Sequence, residues 1–414
     1  MDLRQAAVVA VFLLSYLLIT ARRLRWLPLG RPAGVLFGAV LMVAVGGLTP
    51  AEAYRRVDHD TIVLLFGMML VTAHLERAGF FGWAGERLLQ SCGGSPRALM
   101  AGLSLLTGAL SALLVNDTVC LFMTPVVLAA CKRGGLPVGP FLLTLATSAN
   151  LGSVATPVGN PQNMIIGHHS GLSFARFVAL AGPVTLLGLG LNLLLLWVCY
   201  GRRLPARVPA LGGELELDRR RLRWVGLVCL GALLGMFLGW HKGFTALGAG
   251  VLLLVVLRDE PGEVFARVDW PLLVFFSALF VVVGALDQTG LAGRVFQALA
   301  PHMRLDSPAG TATFAAGMSV GSNVVSNVPL VTLAGPHMER FGDPTLAWIL
   351  LAFVTTAAGN LTLIGSVANV IVAERAQAEY TLGFWEYLRF GLPSTILVLA
   401  AGVPFLCWWV RWVG

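Results

Sequence analysis

Apolar segments of about 15–25 residues, separated by short polar stretches, recur along the 414-residue chain. That length matches the ~30 Å hydrocarbon core of a bilayer, which a helix crosses in about 20 residues. Charged residues make up 12% of the chain, against about 25% in soluble domains. We therefore predict an all-α polytopic membrane protein, with spans near residues 5–21, 33–49, 60–78, 139–166, 173–200, 223–240, 244–258, 269–287, 344–373 and 385–411.

Arginine and lysine indicate the orientation, because loops rich in these residues stay in the cytoplasm. The basic stretches are Arg22–Arg31, Lys132 with Arg133, the linker 201–223 and Arg258–Arg267. Placing them inside puts the N-terminus outside, in a multi-pass protein of a bacterial-type inner (cytoplasmic) membrane. The net charge of +8 then reflects cytoplasmic loops, and we expect the lipid bilayer but no nucleic acid as a partner.

The two halves of the sequence align with each other. Arg56–Gly79 matches Arg267–Gly290 at an offset of 211 residues, and further on the offset becomes 206. The aligned polar pairs are Asn116 with Asn327, Asn160 with Ser366 and Asn163 with Asn369. Five spans per half would turn the second half upside down. We therefore predict inverted repeats over 1–200 and 224–414, joined by a cytoplasmic linker at 201–223.

Four segments carry a polar interruption at their middle. Residues 98–132 and 308–341, with LLVNDTVC and GSNVVSNVP at their centres, are predicted to form re-entrant hairpins. The spans 139–166 and 344–373 are predicted as broken helices, because ATPVGNPQNMIIG and GNLTLIGSVAN lie inside them. Non-helical backbone is tolerated at membrane depth only where it is buried inside protein or lies beside a water-filled cavity. We therefore expect the four interruptions to meet near the midplane.

These interruptions define the predicted substrate or ion site. Proline and glycine leave backbone groups that a bound ion or solute could use. Asp117 is a carboxylate within the first hairpin, and at that depth it needs a partner, a proton or a wet cavity. Its repeat counterpart is Val328, so we predict Asp117 as a one-sided coupling acid. The predicted site residues are Asn116, Asp117, Thr118, Gly159, Asn160, Asn163, Ser326, Asn327, Thr362, Ser366 and Asn369.

Other chemistry is less strongly indicated. Glu76 and Asp287 match across the repeat but fall at span ends, where interfacial roles are expected. His168 and His169 are placed at the outer surface, and neither a metal site nor a cofactor is predicted. An enzyme would need paired titratable groups at depth, whereas Asp117 has no partner acid. No P-loop pattern occurs, so this chain is not expected to hydrolyse ATP itself, and a separate ATPase subunit stays an open alternative.

The chain resembles the ion transporter superfamily in SALLVNDTVCLFMTPVVLA, SANLGSVATPVGNPQNMIIG, SNVVSNVPLVTLAGP and AGNLTLIGSVANVIVAE. That group includes arsenite permeases, citrate-type and dicarboxylate transporters and some sodium/proton antiporters. The resemblance covers nearly the whole chain. It implies a scaffold domain that often dimerises, hence a homodimer, and a transport domain that moves like an elevator. In the dicarboxylate branch each hairpin tip carries Ser-Asn-Thr, whereas Asn116 and Asp117 match the Asn-Asp of arsenite permeases.

We therefore expect a secondary active transporter, and not an enzyme. The expected substrate is a small inorganic solute, arsenite- or antimonite-like or an oxyanion, and the expected driving force is the proton gradient. Two alternatives stay open, a sodium-coupled di- or tricarboxylate transporter of the citrate type and a sodium/proton antiporter. The coupling ion is accordingly H⁺ or Na⁺.

Overall fold

A computed structural model describes residues 3–20, 30–207 and 217–413, and all regular secondary structure in these ranges is helical. Part of the basic stretch at 22–31 and part of the linker at 201–223 lie outside the described residues. The helices before the linker are α1 (Leu3–Thr20), α2 (Arg31–Ala44), α3 (Pro50–Arg56), α4 (His59–Arg77), α5 (Phe80–Ser91), α6 (Pro96–Leu113), α7 (Asn116–Gly134), α8 (Val138–Ser153), α9 (Pro161–His169) and α10 (Phe174–Tyr200).

The helices after the linker begin within its predicted range, because α11 starts at Arg219 behind the N-cap Asp218. They are α11 (Arg219–Phe237), α12 (Lys242–Leu257), α13 (Pro261–Phe265), α14 (Trp270–Gln288), α15 (Leu291–Leu299), α16 (Pro308–Val325), α17 (Asn327–Ala334), α18 (Pro344–Ala358), α19 (Val367–Ala376) and α20 (Phe384–Val413). Short 3₁₀ turns follow α15 and α17.

Among the described helices, α6, α10, α14 and α20 are each long and apolar enough to cross a membrane, and α4 meets the same criterion only when α3, from which it is bent by 54°, is counted with it. The shorter apolar helices are α1, α2, α12 and α18. Several predicted spans are therefore shorter than expected. The helix α2, for example, ends at Ala44 because Gly46 takes a φ of 70°, which glycine tolerates better than other residues.

The first predicted hairpin differs from expectation in the length of its arms. Its helices α6 and α7 have 18 and 19 residues, although we predicted short arms. They are long because only Leu114 and Val115, at the tip, leave the helical conformation. The second segment pairs α16, of 18 residues, with α17, of 8 residues. The re-entrant course of both segments stays a prediction.

Packing divides most of the helices into two groups. In the first, named here the α4–α12 group, α4 lies along α12, α11 packs on α12, and α2 packs on α1 and α14. In the second, the α8–α18 group, α8 contacts α6, α7 and α10, while α18 contacts α16 and α20 and α19 contacts α7. The groups meet mainly where α9 touches α4 and where α17 touches α14. All four polar interruptions belong to the α8–α18 group.

Candidate functional site

Asn150, in α8, lies at the centre of the buried polar groups and is 1% exposed. Its side-chain oxygen accepts hydrogen bonds from Asn116 Nδ2 at 3.0 Å and from Ser366 Oγ at 3.0 Å. Its nitrogen donates to Asn360 Oδ1 at 2.8 Å and to Asn369 Oδ1 at 2.9 Å. One amide therefore joins the first hairpin tip to the second helix break. We call these five side chains the amide hub.

The two helix breaks hold an asparagine in the same way. Asn163 Nδ2 donates to the backbone carbonyls of Ser153 at 3.0 Å and Thr156 at 3.1 Å. Asn369 Nδ2 donates to the carbonyls of Gly359 at 2.8 Å and Thr362 at 3.1 Å. These two residues lie 206 positions after Ser153 and Thr156. The offset read from the sequence thus recurs in the hydrogen bonds of the two breaks.

These bonds determine which oxygen atoms are left for a ligand. Backbone carbonyls of an unwound helix segment can coordinate sodium in transporters. In the first break, however, the side-chain nitrogen of Asn163 contacts these carbonyls, and it also lies 3.3 Å from the Val154 carbonyl. It therefore occupies the point where three carbonyls converge. Asn163 Oδ1, by contrast, is buried and receives no hydrogen bond from any described residue. The first break consequently offers an unpaired acceptor, not an open cage of oxygens.

Asn160 and Ser366 occupy matching N-cap positions but have different partners. Asn160 Oδ1 accepts from the Asn163 N–H at 2.8 Å, and its nitrogen donates to Ser153 Oγ at 2.7 Å. Ser366 makes no capping bond to α19 and donates to the hub instead. Asn160 therefore shapes the first break, whereas Ser366 connects the second break to Asn150.

The tip of the first hairpin is bonded to the first break. The Asn116 N–H donates to the Gly159 carbonyl at 2.9 Å. A Cβ atom on Gly159 would lie 2.2 Å from the Ser153 carbonyl oxygen, far inside van der Waals contact. Glycine is therefore required at this position by the close approach of two backbone segments.

Asp117 lies in the first turn of α7 and is 3% exposed, next to the buried Thr118. Its backbone N–H donates to Asn116 Oδ1 at 2.9 Å. No described residue forms an ion pair with its carboxylate or donates a hydrogen bond to it. The N-terminus of a helix favours a negative charge, but burial without a partner disfavours one. Asp117 is thus a buried carboxyl group with no charged or hydrogen-bonding partner for its side chain among the described residues.

The second hairpin tip has strained backbone. Ser326, between α16 and α17, takes φ 64° and ψ 161°, a combination found almost only in glycine. Asn327 follows it, and Asn327 Oδ1 accepts a hydrogen bond from Ser322 Oγ. The neighbouring Val325 carbonyl accepts a hydrogen bond from the Tyr16 hydroxyl of α1 at 2.6 Å. The α4–α12 group therefore touches the tip directly.

Asn323 joins the second tip to the second break. Its nitrogen donates to the Ala358 carbonyl at 3.0 Å, and its oxygen accepts from Thr362 Oγ1 at 3.3 Å. Asn323 also lines a cavity of about 190 Å³, which we call the tip cavity. The tip cavity lies between α1, α2 and α14 on one side and the second tip with α19 on the other. Its polar lining residues are Tyr16, Arg31, Asp269, Asn323, Ser326 and Glu374.

The structure gathers most of the predicted site residues around the amide hub and the two breaks. Ser326 lies apart on the tip cavity, and the side chains of Asp117 and Thr118 adjoin the hub without a hydrogen bond to it. Sequence reasoning missed Asn150, Asn360 and Asn323. Asn150 lies in α8 shortly before the first break and Asn360 lies inside the second break, and no local pattern distinguishes them from the neighbouring polar residues. Asn323 lay inside the quoted hairpin motif but was not chosen.

Charged residues outside the site form pairs at the ends of helices. Glu76 pairs with Arg267, and Asp287 pairs with Arg56 at 3.1 Å, as expected of interfacial residues. Across the boundary between the two helix groups, His168 Nδ1 lies 3.2 Å from Asp60. In the described part of the chain, no group of three or more potential metal ligands is placed to hold an ion.

A second junction on the same face joins His169 of α9 to Asp58, the N-cap of α4. His169 Nε2 lies 3.3 Å from Asp58 Oδ2. Burial acts to raise the pKa of Asp58, but hydrogen bonds from His169 and the Thr61 N–H outweigh it and hold that pKa below its ordinary value. The junction is therefore a hydrogen-bonded contact between α9, the helix that follows the first break, and the α4–α12 group.

The membrane-depth site has no buried cation of its own. Among the described residues, no arginine or lysine belongs to the buried set, which contains the carboxylates of Asp117 and Glu86. The Asp259 side chain is only 3% exposed as well, but it pairs with Arg221. Glu86 pairs with Arg133 at 2.7 Å, away from the hub. The site is therefore built from neutral amides and hydroxyls beside one acid.

Comparisons with known proteins show the family of the chain. A family model described as citrate transporter matches residues 16–345. The silicon efflux transporter LSI3 of Oryza sativa subsp. japonica is 35% identical, over 92% of this chain and 93% of its own. A transporter named arsB from Dictyostelium discoideum is 31% identical, over 96% of this chain and 91% of its own.

The fold has a solved counterpart. The crystal structure of the Alcanivorax borkumensis YdaH transporter matches with a TM-score of 0.59 and covers 99% of both chains, at 15% identity. At that identity the likeness concerns the fold alone. The family match spans most of the chain, and the apolar helices are those of a multi-pass membrane protein. The chain therefore belongs to the citrate transporter family, CitMHS, of the ion transporter superfamily, and it is a membrane transporter.

Proposed function

We propose that this protein exchanges a small, uncharged inorganic hydroxy solute, of the arsenite or silicic acid type, for protons. The observation that carries the proposal is the amide hub next to a single buried carboxyl group, Asp117, with no arginine or lysine in the buried set of described residues. The hub would hold the solute and Asp117 would hold the proton.

Amide side chains suit hydroxyl groups because each amide offers both donors and acceptors. An undissociated hydroxy acid presents several O–H groups that donate and accept in the same way. The unpaired Asn163 Oδ1 would accept one of them. An anion would instead meet the amides together with the negative charge of an ionised Asp117, and binding it without a cation costs desolvation energy.

The occupied carbonyls favour protons over sodium as the coupling ion. Asn163 and Asn369 direct their nitrogen atoms at the carbonyls of both breaks, where a sodium ion would need oxygen ligands. Asp117, by contrast, has a free carboxyl group that can bind and release a proton. A carboxyl group that binds a proton on one side of a membrane and releases it on the other couples solute flux to the gradient.

The two helix groups support an alternating-access mechanism of the elevator type. All site residues belong to the α8–α18 group, and the tip cavity separates part of this group from α1 and α14. Arg31, Asp269 and Glu374 surround this cavity and lie at helix ends that the basic loops place in the cytoplasm. Movement of the α8–α18 group would carry the site towards the opposite face, while the α4–α12 group would provide the contact of a homodimer.

The named relatives support the choice of solute and the direction. The rice protein is named a silicon efflux transporter and the Dictyostelium protein an arsB transporter. Silicon forms a weakly acidic hydroxide, and the arsenite alternative rests on the resemblance of Asn116 and Asp117 to the Asn-Asp of arsenite permeases. We therefore propose outward solute transport coupled to inward proton movement, across the bacterial-type cytoplasmic membrane predicted from the sequence.

Citrate is the second candidate, because the family model carries that name. Citrate has three carboxyl groups that are largely ionised at neutral pH, and bidentate arginine is the usual protein partner of a carboxylate. The buried set of described residues contains no arginine. A citrate transporter built on this site would therefore need a cation to accompany its substrate.

Proteoliposome flux measurements separate these candidates. Purified protein is reconstituted, and uptake of arsenite, silicic acid and citrate is followed with a proton gradient, with a sodium gradient and with neither. We expect arsenite or silicic acid to move against its gradient only when protons are supplied, at a rate that does not depend on sodium. Sodium-dependent citrate uptake, with no movement of the hydroxy solutes, would overturn the proposal.

A further inference from the structure

A long apolar groove runs along the surface of the molecule between α16 and α20. Its volume is about 850 Å³, within the ~300–1,000 Å³ typical of ligand pockets. Small residues of α16 form its floor, and aliphatic residues of α20 form the facing wall. The apolar residues that line it include Ala312, Ala315, Ala316, Ile396, Leu399 and Val403. In a membrane transporter, a groove of this composition opens towards lipid acyl chains.

One end of the groove is aromatic and basic. Trp408 and Trp412 stack with ring centroids 6.1 Å apart, and both line the groove together with Arg411. Tryptophan is enriched at the level of lipid headgroups. The polar end of the groove therefore coincides with the expected headgroup layer, at the end of α20 predicted to face outside.

Arg411 has no negative partner in the part of the chain that the structure describes. Its Nη2 donates to the Leu305 carbonyl at 3.0 Å, which holds the guanidinium in place without neutralising it. A second arginine, Arg176, reaches the same end of α20 and donates to the Val413 carbonyl at 3.2 Å. Arg176, too, makes no ion pair with a described residue. Of the two, Arg411 lines the apolar groove, so it is the positive charge placed to meet a ligand there.

We propose that this groove is a binding site for an anionic phospholipid, with an acyl chain against α16 and α20 and the headgroup phosphate at Arg411. The guanidinium matches phosphate oxygens in geometry and charge. An acyl chain can lie along the apolar part of the groove while the phosphate stays at the level of the tryptophans. Because the site lies apart from the amide hub, its occupancy is independent of the solute that the protein carries.

Native mass spectrometry of the purified full-length chain tests the site directly. The protein is mixed with equal amounts of phosphatidylglycerol and phosphatidylcholine that carry identical acyl chains, and the retained lipids are counted. One basic residue near a lipid headgroup gives a preference of about fivefold for the anionic lipid. Arg411→Gln should bring the ratio close to one, whereas Arg411→Lys should keep most of the preference.

Two further variants complete the test. Ala316→Phe fills the groove from an exposed position and should reduce retention of both lipids. Arg294→Gln removes another exposed arginine, on α15, and should leave the ratio unchanged. An unchanged preference in Arg411→Gln would overturn the proposal. So would conversion of a dimer to a monomer by Ala316→Phe at constant lipid content, because the groove would then hold a second copy of the chain.

Discussion

At the scale of single residues, Asp117 is the group on which proton coupling would depend. Asp117→Asn keeps the shape of the side chain but cannot bind and release a proton. We expect this variant to lose proton-driven accumulation in proteoliposomes while it keeps exchange of solute for solute. Asp117→Glu restores a titratable group and should restore part of the accumulation. Normal proton-driven accumulation in Asp117→Asn would assign coupling to another residue.

Asn150 is the residue whose removal should disturb the site most. Asn150→Ala would leave four polar side chains without their shared partner, and an unpaired buried polar group costs about 1–3 kcal/mol. We expect a loss of about 3 kcal/mol or more in the free energy of unfolding, measured by denaturation in detergent, together with a loss of solute affinity.

A matched control for this variant is Asn192→Ala. Asn192 is also fully buried and bonds Thr147 Oγ1 at 3.0 Å and Ser394 Oγ at 2.8 Å, but it lies outside the hub. It should destabilise the protein without changing solute affinity. Equal loss of affinity in both variants would mean that Asn150 acts through overall stability alone.

At the scale of secondary-structure elements, the first break depends on the close contact made by Gly159. Gly159→Ala would place a methyl group 2.2 Å from the Ser153 carbonyl oxygen, so that the break must open and the first hairpin tip must shift. We expect transport to fall to background with a measurable drop in thermal stability. Gly182→Ala in α10 has nothing within 4 Å of its added methyl group and should be neutral or slightly stabilising. Similar behaviour of the two variants would contradict this account.

The elements were more predictable from sequence than their contacts. Apolar length located the helices, and Pro157, Gly159 and Pro161 located the first break, because these residues act on their own backbone. Asn150 could not be identified in the same way. It lies in a regular stretch of α8 with no break of its own, and its four partners come from segments up to 219 residues away. Partners that distant are determined by tertiary packing, which no local pattern of one sequence records.

At the scale of the whole molecule, the Asp58–His169 contact ties the two helix groups together on one face. A carboxyl group with a depressed pKa stabilises the folded state above its ordinary pKa of about 3.9, and this contribution is lost as pH falls through the folded value. Asp58→Asn keeps an N-cap side chain but removes the charge.

We therefore expect Asp58→Asn to be less stable than the parent protein at pH 7, by up to about 1 kcal/mol since the contact is partly solvated. The difference should be smaller at pH 3, where the parent carboxyl group begins to take up a proton, and should vanish below its depressed folded pKa. Thermal unfolding in detergent at both pH values measures it. A difference that stays constant over this range would show that the charge of Asp58 does not stabilise the fold.

The asparagine nitrogens that bind the carbonyls of both breaks also affect how the protein reorients when no solute is bound. A site that relied on a bound ion to satisfy its carbonyls would leave them bare after release, and crossing the membrane in that condition would be slow. Here Asn163 and Asn369 satisfy those carbonyls permanently. We therefore expect the solute-free protein to reorient readily once Asp117 has bound a proton, whereas ionised Asp117 without solute should keep it in place. A carrier of this kind can empty a cell of its solute without having to bring a second molecule of that solute back.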